Sequence, residues 1–291
     1  MIAAGHQPNY LPYIGFFHKA ARCDKFIIVD TVQFVKRGPF GWINRNRIRT
    51  ATGWIWLTVP VITKGKYFQS IKDTVIDNST DWRRKHWMSI LRNYQSAPYF
   101  ALYSEFFSQL YQKEWQYLSA LNEAIIRYVC EQMHIKADIV KSSELIVRLP
   151  VPLKGRSSGA LKLQPTIPGS PSAVSPAEAG LQPRIPGSNS LPLKLPEYNS
   201  LHSNCQSKVE GKATDLIINM CKSVNADTYL HGKHGRDYVD EDKMNQHNIK
   251  SIYQQFDHPV YQQRYQPFIP EMAIIDLLFN CGPDSERTIK G

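Results

Sequence analysis

The chain is poor in cysteine and has no apolar run long enough to span a membrane. Its five cysteines, Cys23, Cys130, Cys205, Cys221 and Cys281, are scattered, odd in number and without a C-x-x-C pair. That argues against a disulfide framework and against a four-cysteine zinc site, and a reducing compartment is expected. No apolar run approaches the roughly 20 residues of a membrane span. The N-terminus shows no basic n-region and no apolar h-region, with Asn9 and Pro12 interrupting it early. A cytoplasmic protein is expected. Walker A, G-x-S-x-G and H-E-x-x-H patterns are also missing.

Acid is the scarcer charge. Thirty-five Lys and Arg face 25 Asp and Glu, a net of +10. The excess suits an anionic partner: a phosphate or nucleotide, a nucleic acid, or an acidic membrane surface. The plain alternative is a basic soluble enzyme. With 291 residues, 42% of them hydrophobic, the chain can build one large core or two modest ones.

The pattern is α/β: a Rossmann-like, mainly parallel sheet with a helical segment and a Pro-rich insertion. Residues 1–148 and 209–291 are read as two parts of one domain, and 149–208 as the insertion. Ile2–Ala4 and Phe26–Asp30 are expected strands, separated by a helix over Tyr13–Arg22. Asn46–Thr50 and Trp54–Val59, split by Thr52-Gly53, predict a hairpin. Trp82, Trp87, Ile90, Leu91 and Tyr94, then Leu118, Leu121, Ile125, Ile126 and Val129, recur at helical spacing and are expected in the core. From Leu149 to Pro196 the chain is dense in Pro, Gly and Ser. It repeats Leu163-Gln164-Pro165-Thr166-Ile167-Pro168-Gly169-Ser170 as Leu181-Gln182-Pro183-Arg184-Ile185-Pro186-Gly187-Ser188. Proline at this density blocks helix and central strand alike, so disorder or polyproline II is expected; a docking arm for a proline-recognising partner is the rival reading. After it, helix Lys212–Val224, strand Asp227–Leu230, a glycine loop, helix Asp240–His247, strand Ser251–Gln254 and an apolar helix over Met272–Phe279 are predicted.

Loops at the carboxyl ends of parallel strands line the ligand crevice of open α/β sheets. His6 sits in such a loop and is the candidate general base, with Gln7, Asn9 and Tyr10 beside it as ligand contacts. Asp30 either orients that histidine, binds a sugar or ribose hydroxyl, or is simply a strand-end turn carboxylate. Gln33, Lys36, Arg37, Asn44, Arg45, Asn46 and Arg47, with Arg49 and Trp42 nearby, mix cation, amide and aromatic. They suit a diphosphate or an RNA backbone, with a solvated hairpin face as the alternative. Gly232 and Arg236, in a loop with Lys233 and Gly235, are placed to cradle an anion. His231 and His234 are three apart but have no third ligand in place, so no metal and no cofactor is expected.

His6-Gln7-Pro8-Asn9-Tyr10-Leu11-Pro12, Val32-Gln33-Phe34-Val35-Lys36-Arg37, Asn44-Arg45-Asn46-Arg47-Ile48, Trp56-Leu57-Thr58-Val59-Pro60, Ala226-Asp227-Thr228-Tyr229-Leu230 and Ile275-Asp276-Leu277-Leu278-Phe279-Asn280-Cys281-Gly282 together resemble the WbqC-like family of bacterial surface-polysaccharide and O-antigen clusters. The resemblance covers both flanks and leaves out the Pro-rich insertion. It implies a transferase that adds glycine or another aminoacyl group to a sugar. Its partner would be an anionic nucleotide-sugar, with a charged tRNA as one conceivable donor. The alternatives are a non-catalytic nucleotide-sugar or carbohydrate-binding accessory protein and an RNA-interacting protein. A second resemblance concerns the fold. Tyr13-Ile14-Gly15-Phe16 opens a helix where HUP-type nucleotidylyl transferases carry the HIGH signature. Tyr13 and Phe16 occupy its two histidine positions, which implies an altered or lost adenylyl-transfer mechanism.

Overall fold

The computed structural model of the chain describes residues 1–36, 41–148, 206–208 and 213–290. The Pro-rich segment up to Cys205 and Arg37 lie outside the described residues, and so do the expectations attached to them.

Two apolar runs at the start set the frame. β1 (Ile2–His6) leads through a proline-containing loop to α1 (Ile14–Ala20), which returns the chain to β2 (Lys25–Ile28). The hairpin β3 (Arg45–Thr50) and β4 (Gly53–Thr58) follows, then helices α2 (Trp82–Tyr94), α3 (Phe100–Gln112) and α4 (Leu118–Gln132). β5 (Asp138–Lys141) and β6 (Ile146–Arg148) close that half. Beyond the undescribed stretch come β7 (Gln206–Lys208), α5 (Thr214–Val224), β8 (Thr228–His231), α6 (Glu241–Gln246), β9 (Lys250–Tyr253), α7 (Ile274–Cys281) and α8 (Ser285–Lys290).

Five strands form one parallel sheet in the order β5-β2-β1-β8-β9. Strands from both sides of the undescribed stretch therefore share one sheet. Gln206–Lys208, assigned from sequence to the insertion, pairs antiparallel with Ile146–Arg148. β1 and β2 are apolar almost throughout because helices cover both faces of a parallel sheet. Ala4, Phe26, Ile28 and Leu230 pack with α1, α4 and α7 on one face; Ala3, Ile27, Val29 and Tyr229 pack with α5 on the other. That alternation is the period of two of a strand with both sides buried.

The helical stripe of α4 is inside as expected: Leu118, Leu121, Ile125, Ile126 and Val129 are all at 0% exposure. Each such side chain contributes about 1.5–3 kcal/mol of burial. In α2 the buried row is Trp82, His86, Ile90 and Tyr94. Trp87 and Leu91, expected with them, are only half-buried. The row follows a spacing of four, and one position further on turns a side chain away from the core.

Candidate functional site

The sheet order creates a site. From β1 the chain steps outward to β2 and β5, then crosses to β8 and β9 on the other side of β1. Strand order thus reverses between β1 and β8, and the crevice beyond their carboxyl ends is where open α/β sheets bind ligands. His6 ends β1 and His231 ends β8. A cleft of about 360 Å³ opens at this point. The loop after β1 contributes His6, Gln7, Asn9 and Tyr13, and the loop after β8 contributes His234. Trp42 comes from the approach to β3, Asn46 from β3 itself, and Glu271 from the loop before α7.

His6 has a defined proton arrangement. Its Nδ1 lies 2.9 Å from the carbonyl oxygen of Gln7. A carbonyl only accepts, so Nδ1 carries the hydrogen and the neutral ring keeps its lone pair on Nε2. Phe16 packs edge-on against the ring, with centroids 4.7 Å apart. Burial, then the charge of Lys19, lowers the imidazole pKa to about 4, and the bond to Gln7 offsets this only in part. His6 is therefore neutral at pH 7 and presents an acceptor. Tyr13 is held over the α-carbon of Gly15; a β-carbon there would stand 2.5 Å from its ring. Burial, then the nearby Glu271, raises the Tyr13 phenol, which stays a donor.

Of the residues chosen from sequence, His6, Gln7, Asn9 and Asn46 meet in the cleft. The others are elsewhere. Tyr10 points into the core at 0% exposure, where its hydroxyl meets His86 Nδ1 and the Tyr111 hydroxyl. Asn44 is buried and donates to the Val59 carbonyl at 2.9 Å, fastening the hairpin. Gln33 donates to the Tyr67 carbonyl, and Lys36 is exposed and outside the lining. Asp30 does not reach His6. Its carboxylate accepts from the Ser142 hydroxyl and from the Ser143 amide and hydroxyl, at 2.7–2.9 Å. These bonds clamp the end of β2 to the turn after β5.

The expected cationic cluster stacks on indoles. Arg45 sits over Trp56 at 4.5 Å, and Arg47 over Trp42 at 5.4 Å and Trp54 at 5.2 Å. Arg47 also pairs with Glu271 at 3.2 Å, so it touches two lining residues without lining the cleft itself. Arg49 is 1% exposed and donates to the carbonyls of Thr50, Gly53 and Pro267. Arg236 lies over Tyr253 at 4.6 Å. Gly232 has open space where a β-carbon would go. Gly235 is the constrained glycine of that loop: a β-carbon there would stand 2.5 Å from the Cβ of His231. Among the described residues no group of three or more His, Cys, Asp and Glu is placed to hold a metal ion.

Three supporting residues escaped the sequence. Lys19, 4% exposed, donates to the Gly5 carbonyl at 2.8 Å, and burial lowers its pKa to about 8. Asn122, at 0% exposure, donates to the carbonyls of both Pro8 and Ile43 at 2.8 Å, tying the loop after β1 to the chain entering β3. Glu271 is 265 positions beyond His6 in the chain. No local pattern marks any of the three, because each acts across a tertiary contact.

The family model described as the WbqC-like protein family matches residues 7–150 and 193–288. The break between the two matched parts falls inside the Pro-rich segment. The uncharacterized protein Rv1507c of Mycobacterium tuberculosis (strain ATCC 25618 / H37Rv) is 30% identical over 281 residues, covering 96% of this chain and 93% of that protein. No solved structure matches the chain. No helix among the described residues is long and apolar enough to cross a membrane.

Proposed function

This chain belongs to the WbqC-like protein family, and from that premise we propose a transferase that passes glycine or another aminoacyl group to the amine of a nucleotide-linked amino sugar. The pathway would be assembly of surface polysaccharide or O-antigen. The observation that carries this reading is the lining of the switch-point cleft. Gln7, Asn9 and Asn46 offer planar amides, with Trp42 and Tyr13 as aromatic walls. Amides that donate and accept, set against aromatic faces, suit a ring rich in hydroxyls.

In the proposed step the sugar amine attacks the acyl carbon of an ester donor such as a charged tRNA. A C–N bond forms and the acyl C–O bond breaks. The amine proton passes to Nε2 of His6 and then to the departing oxygen. The Tyr13 hydroxyl is a candidate donor to the developing oxyanion.

One observation favours a binding protein without turnover. Among the described residues no carboxylate backs His6, whose Nδ1 meets a backbone carbonyl. Calorimetry with UDP- and dTDP-amino sugars, followed by transfer from glycyl-tRNA, separates the readings. Binding and turnover by the wild type, with binding retained and turnover lost in His6→Ala, supports the transferase. Binding with no turnover supports the accessory protein. Binding of tRNA alone, falling steeply with salt, supports an RNA partner.

A further inference from the structure

The loop between β4 and α2 carries an aromatic tip that the cleft does not use. Tyr67 and Phe68 are 79% and 82% exposed. Their rings pack against each other, with centroids 4.9 Å apart. Two adjoining rings this open form a contiguous apolar patch, the kind of surface that marks an interaction site. Ile62, 40% exposed, adds to the patch, and Lys64 and Lys66 flank it, both exposed. Neither lysine has an acidic partner among the described residues.

The tip is anchored at its base. Ile62 donates its amide to Val75 at 3.0 Å, and Phe34 to Gln69 at 2.9 Å. The Gln33 side chain donates to the Tyr67 carbonyl at 3.0 Å, and the Gln69 side chain to the Ile62 carbonyl at 3.1 Å. The backbone is satisfied at the root while the rings point away from the core. Ile71 and Lys72 then bond to the carbonyls of Val32 and Asp30, just past the carboxyl end of β2. The loop is thereby rooted on the sheet edge that carries His6.

We infer that this tip docks on an anionic lipid bilayer. The chemistry matches on both counts. Tyr and Phe prefer the boundary between headgroups and acyl chains, and unpaired lysines are drawn to an acidic leaflet. The +10 net charge adds a long-range attraction of the same sign. Docking would hold the cleft-bearing edge of the sheet at the membrane surface.

The test is co-sedimentation with vesicles of phosphatidylcholine alone and of equimolar phosphatidylcholine and phosphatidylglycerol. The wild type is expected on the acidic vesicles and in solution with the neutral ones. Lys64→Ala with Lys66→Ala should weaken binding ~25-fold, about fivefold for each lysine. Tyr67→Ser with Phe68→Ser should weaken it about tenfold or more, since two rings leave the interface. All variants should melt with the wild type, because the altered side chains are exposed. Equal partition on both vesicle types, or variants that sediment like the wild type, would overturn the inference. So would capture by tRNA with the vesicles left bare.

Discussion

The ammonium of Lys19 donates to the Gly5 carbonyl at 2.8 Å, one residue before His6 in β1. A buried positive charge thus stands beneath the candidate base. It is the second cause, after burial, of the lowered His6 pKa. Lys19→Met should raise the His6 titration midpoint above about 4, while burial keeps it below the ordinary 6.5. Proton NMR of the imidazole reads this directly. A midpoint unchanged from the wild type would leave burial as the sole cause.

Asp30 is expected to matter for folding and not for chemistry. Asp30→Ala leaves the Ser142 hydroxyl and both donors of Ser143 without their acceptor. The cost should be about 1.5–3 kcal/mol, read from chemical denaturation. Ligand affinity per folded molecule should match the wild type. A variant that melts normally but loses binding would place Asp30 back in the site.

Asn122 positions the loop that bears His6. Its side-chain NH₂ holds the carbonyls of Pro8 and Ile43, and its oxygen has no partner. Asn122→Ala should cost about 1–3 kcal/mol and loosen the cleft. Affinity for an amino-sugar nucleotide should fall while the His6 titration stays in place. Asn122→Asp would put a carboxylate against two carbonyls and should destabilise more.

Acid should unfold the protein through its buried histidines. His18 and His86 are 6% exposed and His231 0%, and burial is the main cause lowering each pKa to about 4. Unfolded, each would titrate near 6.5. Between about 6.5 and 4 the unfolded chain binds more protons, so stability falls as pH falls through that window. The slope is at most ~1.4 kcal/mol per pH unit for each histidine. His6 adds to the same decline, its pKa being lowered to about 4 as well. Thermal melts across the range should show it, and His86→Gln should remove about a quarter of it. A flat profile would mean that these histidines take up protons as readily in the folded chain as in the unfolded one.

The sequence by itself determined the local structure: the apolar β1 and β2, the helical stripe of α4, the β3–β4 hairpin and the position of His6 at a strand end. These follow from periodicity and from turn chemistry, which act over a few residues. Tertiary structure alone decided which polar residues face the cleft. Tyr10, four residues after His6, turns into the core because His86 and Tyr111 satisfy its hydroxyl there. Arg45 and Arg47 find indoles from β4 and the loop before β3, and a carboxylate far along the chain, before they meet any ligand. Strand order decided the rest: only when β8 pairs beside β1 do His234 and Glu271 arrive at the same opening as His6. Such meetings depend on chain crossings hundreds of residues long, and short-range patterns of burial and turn carry no record of them.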